Sequence, residues 1–416
     1  MLNQIVHITK TSIQKNKGFI VFASIFFISI FILENINHRF WLNDFKVYYL
    51  AAKSLLLGKQ VYGLPFGLDT GLYKYSPFTL LTFTPFCLFS YYTASCIHYV
   101  ILFFSTVASI IVIQKIISSY IFNTPTTNKN VLLSISIACI IRHIFRELQM
   151  GNVNVILVFL ISLGLLLNLK SKNSLSGIFI GLAIMIKPYF ILLMLPLLFN
   201  KKIKTVLSAG LTIIFCLIFP LLLLGITKGI DLHKSWLISM FNHNTYITSN
   251  DTLVSLINYY FNTSLPNSFQ YYIIISVLII YSISFFQLKK ITANFPDKIG
   301  IMQLHLIVGY FVLFAIIPNL LLTDTEHFMF SLPLILILLN YLSIYKNYLS
   351  IIIFVIIIIL YAGNSSDVFG NELSDKIDSM GLLGISNLFL IIFSSYAIFK
   401  NRRRTILSEN KTYADC

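Results

Sequence analysis

The residues best suited to chemistry lie in one short stretch, Asn43-Asp44-Phe45-Lys46-Val47-Tyr48-Tyr49, just after the first apolar segment of the chain. Asp44 stands at the head of an amphipathic segment that runs to Gly58. A carboxylate held beside a membrane can act as a general base that removes a proton from a hydroxyl nucleophile. Asp is also a favoured N-cap residue. The two roles are compatible, because a helix N-terminus favours negative charge.

Four cationic or potentially cationic side chains could bind an anion such as a phosphate. Lys187 lies inside an apolar run and directly precedes Pro188, which is a poor position for a lysine that only extends its ammonium to the interface. Arg142 and Arg146 could bind an anion, but arginines at membrane interfaces also reach toward water. His327 follows Glu326, and its alternative role is that of a hydrogen-bonded interface histidine.

Three further features bear on ligands. Asp324, Glu326 and His327 resemble a metal-ligand set, but divalent cations usually take more oxygen ligands, so we expect no metal. Tyr73 and Tyr75 could stack on a sugar or a lipid chain, although membrane proteins also place aromatic residues at the interface. The sequence contains neither a P-loop nor a G-x-G-x-x-G motif, and we expect no cofactor.

The composition is that of a membrane protein. The chain has 416 residues, of which 57% are hydrophobic and only 11% are charged, whereas soluble proteins carry roughly a quarter charged residues. The net charge of +15 comes largely from lysines and arginines in short loops. That pattern is typical of the positive-inside rule and gives no reason to expect a nucleic-acid partner. No segment is polar enough for a soluble domain, so we predict one membrane domain over residues 1–416.

Apolar segments predict about twelve membrane passes. They cover 18–33, 91–117, 131–147, 153–169, 175–186, 188–199, 204–224, 270–288, 300–322, 328–344, 348–362 and 381–399. Lys187-Pro188 divides the run 175–199, which is either one kinked span or a thin hairpin. Only the hairpin places all the Lys/Arg clusters on one face. We therefore predict a hairpin, a re-entrant segment at 78–90, and cytoplasmic tails at 1–17 and 400–416.

This topology brings the unusual polar residues to the outer face. Ionisable residues at membrane depth are costly unless they are paired or face water, so they commonly mark functional cavities. Their convergence predicts one site. The residues are Asp44, Tyr73–Tyr75, Arg142, Arg146, Glu147, Gln149, Asn152, Lys187, Asp324, Glu326 and His327.

Several of these segments occur in an order that resembles glycosyltransferase family 87. The resemblance rests on Asp44-Phe45-x-Val47-Tyr48-Tyr49-x-Ala51-Ala52, Leu56-x-Gly58, Val61-Tyr62, Tyr73-Lys74-Tyr75-Ser76-Pro77, Met150-Gly151-Asn152-Val153-Asn154, Gly181-Leu182-Ala183, Lys187-Pro188, Asn250-Asp251-Thr252-Leu253 and Glu326-His327. The chain departs from the family at Asn152, where glutamine is usual, and near Thr325, where a tryptophan is missing. These departures bear on which sugar and acceptor are used.

The resemblance implies an all-α polytopic fold of the C-fold glycosyltransferase type, with the catalytic Asp44 in the first outer loop. It implies inverting transfer of a mannose-like hexose from a polyprenyl-phosphate donor to an envelope glycolipid or polysaccharide. The protein would be a multi-pass protein of a cell membrane, such as a bacterial inner membrane, with both termini cytoplasmic. Residues that would bind the donor phosphate or sugar are Lys187, His327, Arg142, Arg146, Tyr73, Tyr75, Asn152 and Asn154.

Two other functions remain open at this point. A transporter or lipid-linked oligosaccharide flippase would show corresponding broken helices in two repeats, and the break at 187–188 has no partner in the other half of the sequence. A polysaccharide polymerase or ligase would be favoured by a large arginine-rich outer loop. The segment 225–269 contains no arginine.

Overall fold

The computed structural model describes residues 14–67, 71–122, 128–243, 249–291 and 298–414, and within them the chain is helical. Residues 1–13, 415 and 416 of the predicted tails lie outside the described residues. Short 3-10 helices cover Thr84–Leu88, Pro188–Leu193, Asn267–Phe269 and Thr325–Ser331. The α-helices are α1 Lys17–Ile36, α2 Asn43–Leu56, α3 Pro77–Phe83, α4 Tyr91–Tyr120, α5 Lys129–Cys139, α6 Ile141–Met150, α7 Asn154–Leu169, α8 Asn173–Ile186, α9 Met194–Phe199, α10 Ile203–Leu224, α11 Ile226–His243, α12 Leu253–Phe261, α13 Gln270–Ile291, α14 Lys298–Leu320, α15 Leu332–Tyr345, α16 Tyr348–Ala362, α17 Ser366–Phe369, α18 Asn371–Ser379 and α19 Leu382–Ala414.

Seven helices of the described residues are long and apolar enough to cross a membrane. The bent pair α6 and α7, which turns through 116°, would make an eighth span. Shorter apolar helices, such as Asn173–Ile186 and Tyr348–Ala362, lie within several of the other predicted segments. These results establish a polytopic helical membrane protein. The seven are Lys17–Ile36, Tyr91–Tyr120, Ile203–Leu224, Asn267–Lys290, Gly300–Leu320, Thr325–Tyr345 and Leu382–Arg402.

One predicted span differs from the structure. The segment 131–147 is not one helix, because α5 ends at Cys139 and α6 starts at Ile141. Ile140 between them has φ −120° and ψ 22°, outside helical geometry. The second helix carries Arg142, Arg146 and Glu147, so it is amphipathic and cannot be a uniformly apolar pass.

The chain forms two compact units. The Asp44 unit comprises residues 24–112 and 145–248, and the His327 unit comprises 1–23, 113–144 and 249–416.

Helices α7, α8 and α10 form the frame of the Asp44 unit, and glycines permit the close packing. A Cβ at Gly177 of α8 would lie 2.5 Å from Ser208 Cβ, and one at Gly181 would lie 2.8 Å from Thr212 Cβ. This small-xxx-small spacing allows two membrane helices to approach closely. The rising numbers on both helices show that α8 and α10 run parallel.

Because α8 and α10 are parallel, the segment 187–202 must return to the end at which α8 begins. Asn168, near the end of α7, donates to Thr205 Oγ1 at 2.7 Å and so lies at this same end. Lys170 and Lys201, in the loops that precede α8 and α10, therefore share one end of the frame. Asn154 and Lys187 lie at the other, about 24 Å away along the 16 residues of α7.

The His327 unit is joined by buried amides. Asn319 donates to the carbonyl oxygens of Asp251 and Gly384 at 3.0 Å each. Asn387 donates to Asn319 Oδ1 at 2.7 Å, and Ser331 donates to Asn387. These bonds fix the 3-10 helix Thr325–Ser331, which carries His327, against α14 and α19.

Candidate active site

Asp44 is the second residue of α2 and is half-buried. The N-cap position belongs to Leu42, whose φ of 44° is left-handed, so the capping role considered for Asp44 does not describe this helix start. The neighbours Phe45, Tyr48 and Tyr49 are buried and anchor the helix. Asp44 consequently sits on a fixed element with its carboxylate at the edge of the buried region.

The carboxylate of Asp44 is oriented by Asn152. Asn152 Nδ2 donates to Asp44 Oδ2 at 2.7 Å. The other end of the amide, Asn152 Oδ1, accepts from the Tyr48 and Tyr75 hydroxyls at 3.3 and 3.2 Å and from the Val153 N–H at 2.7 Å. Three donors on the oxygen leave only the amide nitrogen for Asp44, so the amide has one favoured orientation.

Lys187 is held close by. Its backbone is extended (φ −132°, ψ 101°) between α8 and the 3-10 helix that begins at Pro188, as expected for a residue before proline. The side chain is only 4% exposed. Its Nζ donates to Asn154 Oδ1 at 2.6 Å and lies 5.9 Å from the centre of the Tyr75 ring. The structure thus places a buried cation beside the same turn that holds Asp44.

The turn between α6 and α7 depends on Gly151 and on His98 and Glu147, for which no individual role was predicted from the sequence. Gly151 has φ 65°, and a Cβ there would lie 2.9 Å from Leu42 Cβ. His98 bonds the Gly151 carbonyl at 2.9 Å, and its ring stacks on Phe45 at 4.3 Å. The Glu147 carboxylate accepts from Asn154 Nδ2 at 2.9 Å. The signal for His98 was an ionisable residue within an apolar helix.

Tyr73 and Tyr75 belong to a cluster of tyrosines. Tyr73 is fully buried, with ring centres 6.3, 5.7 and 5.9 Å from those of Tyr48, Tyr62 and Tyr75. Its hydroxyl has no hydrogen-bond partner among the described residues. Burial raises the pKa of Tyr73 well above its ordinary value, so the phenol stays neutral. A neutral buried hydroxyl can form a hydrogen bond with a polar ligand, but it cannot act as an anionic base.

Arg142 and His327 belong to the His327 unit. Arg142 Nη2 bonds both carboxylate oxygens of Asp378 at 3.2 Å. His327 is 5% exposed, and its Nδ1 lies 3.1 Å from the Asp324 carbonyl oxygen. Arg146, in the Asp44 unit, is exposed. The structure therefore brings Asp44, Tyr73, Tyr75, Asn152, Asn154 and Lys187 together in one unit, and places Arg142 and His327 in the other.

The model of glycosyltransferase family 87 matches residues 73–343. The chain belongs to glycosyltransferase family 87. No curated protein matches it. The match confirms the family expected from the sequence and includes Lys187, Asn152 and His327, whereas Asp44 lies before it. The protein is a multi-pass membrane glycosyltransferase.

For a glycosyltransferase, the two units offer different groups. The Asp44 unit supplies a carboxylate, an ammonium and neutral hydroxyls. The His327 unit supplies Asp324, Glu326 and His327, whose ligand atoms lie within 4.8 Å of one another and could hold a divalent ion. It also contains Asp251, which accepts from the Gly384 N–H at 2.9 Å, and burial raises the pKa of Asp251 to about 6.

Proposed function

We propose that this glycosyltransferase transfers a mannose-like hexose, with inversion, from a polyprenyl phosphate to a glycolipid or polysaccharide of the cell envelope. In this proposal the fold is a C-fold of about twelve passes, with both termini cytoplasmic and the site at the outer face of a bacterial inner membrane. Asp44 is the general base, and Lys187 binds the donor phosphate.

The observation that carries the proposal is that one turn holds both charges. Asn152 bonds the carboxylate of Asp44, and Asn154, two residues on, bonds the ammonium of Lys187. A base and a cation held on one short segment keep a fixed separation. Displacement at a sugar carbon needs a base for the nucleophile and a cation for the leaving phosphate, and this turn positions one of each.

The reaction then needs only one carboxylate. Asp44 takes the proton of the acceptor hydroxyl, and the hydroxyl oxygen forms a bond to the anomeric carbon. The bond between that carbon and the phosphate oxygen breaks, and its electron pair remains on the phosphate. Lys187 stabilises the charge that develops there. A phosphate is already a good leaving group, so no second carboxylic acid is required, unlike in glycoside hydrolases.

The frame of the Asp44 unit supports an outer location. Asn154 and Lys187 lie at the end of α7 and α8 opposite the lysines of the 170–172 loop and of the loop that leads into α10. Lysine-rich loops favour the cytoplasmic side. The site end would then face outward, where a polyprenyl-linked sugar and an envelope acceptor could meet. Tyr73 and Tyr75 would contact the sugar, and Arg146 would add a donor for the phosphate.

Membership of a glycosyltransferase family favours bond formation over the flippase alternative. A polymerase or ligase shares the same chemistry and differs in its acceptor. These alternatives are separated by the product, because a flippase moves an intact lipid-linked sugar without making a glycosidic bond.

The test uses purified protein in lipid nanodiscs with a glycolipid acceptor. Polyprenyl-phosphate hexose and nucleotide hexose are supplied in parallel, and the product is analysed by mass spectrometry. We expect transfer from the lipid donor only. Lys187→Met should reduce the use of this donor roughly ten- to a hundredfold, since a charge-assisted contact contributes about 1.5–3 kcal/mol, and Lys187→Arg should retain part of it. Transfer from the nucleotide sugar alone, or an unchanged Lys187→Met variant, would contradict the proposal.

A further inference from the structure

Glu147 is a fully buried carboxylate that the proposed reaction does not use directly. It lies near the end of α6 and bonds several residues of the turn that follows. Its side chain accepts from Asn154 Nδ2 at 2.9 Å through Oε2 and from the Val155 N–H at 3.0 Å through Oε1. Its backbone carbonyl accepts from the Gly151 and Asn152 N–H groups at 2.8 and 3.3 Å. A buried carboxylate is costly unless it is hydrogen-bonded, and these bonds satisfy that need.

Lys187, Asn154 and Glu147 form a series of hydrogen bonds in which each donor and acceptor is fixed. Lys187 Nζ can only donate, and it donates to Asn154 Oδ1. Both carboxylate oxygens of Glu147 accept in this structure. The amide of Asn154, which has one donor and one acceptor end, can therefore satisfy both neighbours in only one orientation. The Asn154 amide thus links the Glu147 carboxyl group to the Lys187 ammonium.

We propose that Glu147 is a positioning residue for the donor-phosphate site: it fixes the Asn154 amide and thereby aims the Lys187 ammonium. This inference rests on the proposed function of Lys187. The side chain of Glu147 serves Lys187, whereas the backbone of Glu147 supports Asn152 and Asp44. The two effects are therefore separable, because a side-chain substitution leaves the carbonyl in place.

Glu147→Gln tests this order of donors and acceptors, because it changes an acceptor into a donor at nearly constant side-chain volume. The new amide can still accept from the Val155 N–H, but its nitrogen then faces Asn154 Nδ2, which is also a donor. Either that bond is lost, or Asn154 rotates and turns its nitrogen toward the Lys187 ammonium. We expect the KM for polyprenyl-phosphate hexose to rise roughly tenfold or more, with kcat close to the wild-type value because Asp44 and Asn152 are undisturbed.

An exchange of the two groups should restore function. In the double variant Glu147→Gln with Asn154→Asp, the new amide donates to the new carboxylate, which accepts directly from Lys187. The net charge, both hydrogen bonds and the bond to Val155 are retained. We expect the donor KM to return close to the wild-type value. A purely structural role for Glu147 would not produce this rescue, because the second substitution would add to the first.

A second double variant tests whether Glu147 affects the donor KM through Lys187. Combining Glu147→Gln with Lys187→Met should give a donor KM no higher than that of Lys187→Met alone. If the two substitutions multiply each other's effect on the donor KM, Glu147 acts independently of Lys187 and the inference is overturned. Glu372→Gln, which removes an exposed carboxylate, is the matched control and should leave KM and melting temperature unchanged.

The remaining outcomes are also decisive. An unchanged donor KM in a folded Glu147→Gln variant overturns the inference, as does an exchange variant that folds but has no lower KM than the single one. If Glu147→Gln does not fold, Asn154→Asp carries the test: it places two carboxylates face to face and should raise the donor KM, and adding Glu147→Gln to it should lower the KM again, whereas a KM that is not lowered overturns the inference. Wild-type transfer from nucleotide sugar alone would contradict the proposed donor, while coupling of Glu147 to Lys187 would still be measurable with that phosphate donor.

Discussion

Asp44 and Asn152 form a pair in which the carboxylate is held without being enclosed. The carboxylate is half-buried, so an acceptor hydroxyl can reach it, while the amide that orients it is only 2% exposed. A base that is fixed before the substrate arrives loses little freedom in the reaction. The pair therefore explains how one acidic residue could suffice for the proposed chemistry.

Substitution of Asp44 tests its role as a base. Asp44→Asn keeps the shape and still accepts from Asn152 Nδ2, but it cannot take a proton. We expect unchanged expression and melting temperature with a transfer rate lower by ~10²–10⁴-fold, the usual contribution of general-base catalysis. Initial rates with purified protein measure this, and Asp231→Asn, at an exposed position, is the control. More than roughly a tenth of the wild-type rate would rule out general-base catalysis by Asp44.

Asp251 predicts a pH effect on stability. Burial raises its pKa to about 6, above the usual value of about 3.9. The folded state consequently binds more protons than the unfolded state between these pH values. The contribution of Asp251 to the free energy of unfolding is therefore fully present below pH ~4 and is lost as pH rises through about 6. Asp251→Asn should raise the free energy of unfolding by about 1–2 kcal/mol at pH ~7.5 and have little effect at pH ~4.

Melting temperatures in one detergent at both pH values would measure this difference. Asp375→Asn, at an exposed position, is the control. An equal change in melting temperature at both pH values would show that ionisation of Asp251 does not affect stability.

At the scale of elements, the turn between α6 and α7 determines how closely the start of α2 can pack against it. Gly151 has φ 65°, and both Leu42 and Phe45 of the α2 region pack where its side chain would be. A left-handed conformation costs other residues about 1–2 kcal/mol. A side chain there would also displace the start of α2, and with it Asp44.

Gly151→Ala should therefore lower kcat, because it moves Asp44 away from Asn152 without removing either group. We expect a loss of about tenfold or more, since small displacements of catalytic groups have large effects, together with a lower melting temperature. Gly210→Ala is the matched control, because nothing lies within 4 Å of a Cβ at that helical glycine. Equal rates in the two variants would show that the turn does not position Asp44.

The sequence predicted the parts of this arrangement that depend on local pattern. Long apolar segments predicted the seven helices that are long and apolar enough to cross a membrane, and isolated ionisable residues such as Lys187 predicted the candidate site. It could not predict the orientation of Asn152 and Asn154, since their bonds reach Asp44 and Lys187, 108 and 33 residues away. It also missed the break at Ile140, because the apolar pattern of 131–141 passes into an amphipathic helix without proline or glycine.

At the scale of the whole molecule, charge and helix direction limit the possible topologies. The loops that precede α8 and α10 both carry lysines, and the parallel packing of these helices places the loops at the same end. The 3-10 helix and α9 between them comprise 12 residues, about 21 Å of chain. That length suits a return segment inside the protein better than an independent pass through a hydrocarbon core of about 30 Å.

Cysteine labelling tests this topology. In a background lacking the five native cysteines, a single cysteine at Ser171 reports on the lysine-rich loop before α8, one at Ile203 reports on the start of α10, and one at Lys59 reports on the segment after α2. We expect an impermeant maleimide to label Lys59→Cys in intact cells, and to label Ser171→Cys and Ile203→Cys only after permeabilisation. Labelling of Ile203→Cys from outside, with Ser171→Cys protected, would mean that residues 175–199 are one kinked span. Labelling of both from outside would place the Asp44–Lys187 site at the cytoplasmic face, where a nucleotide sugar is the more accessible donor, and the proposed lipid donor would lose its topological support.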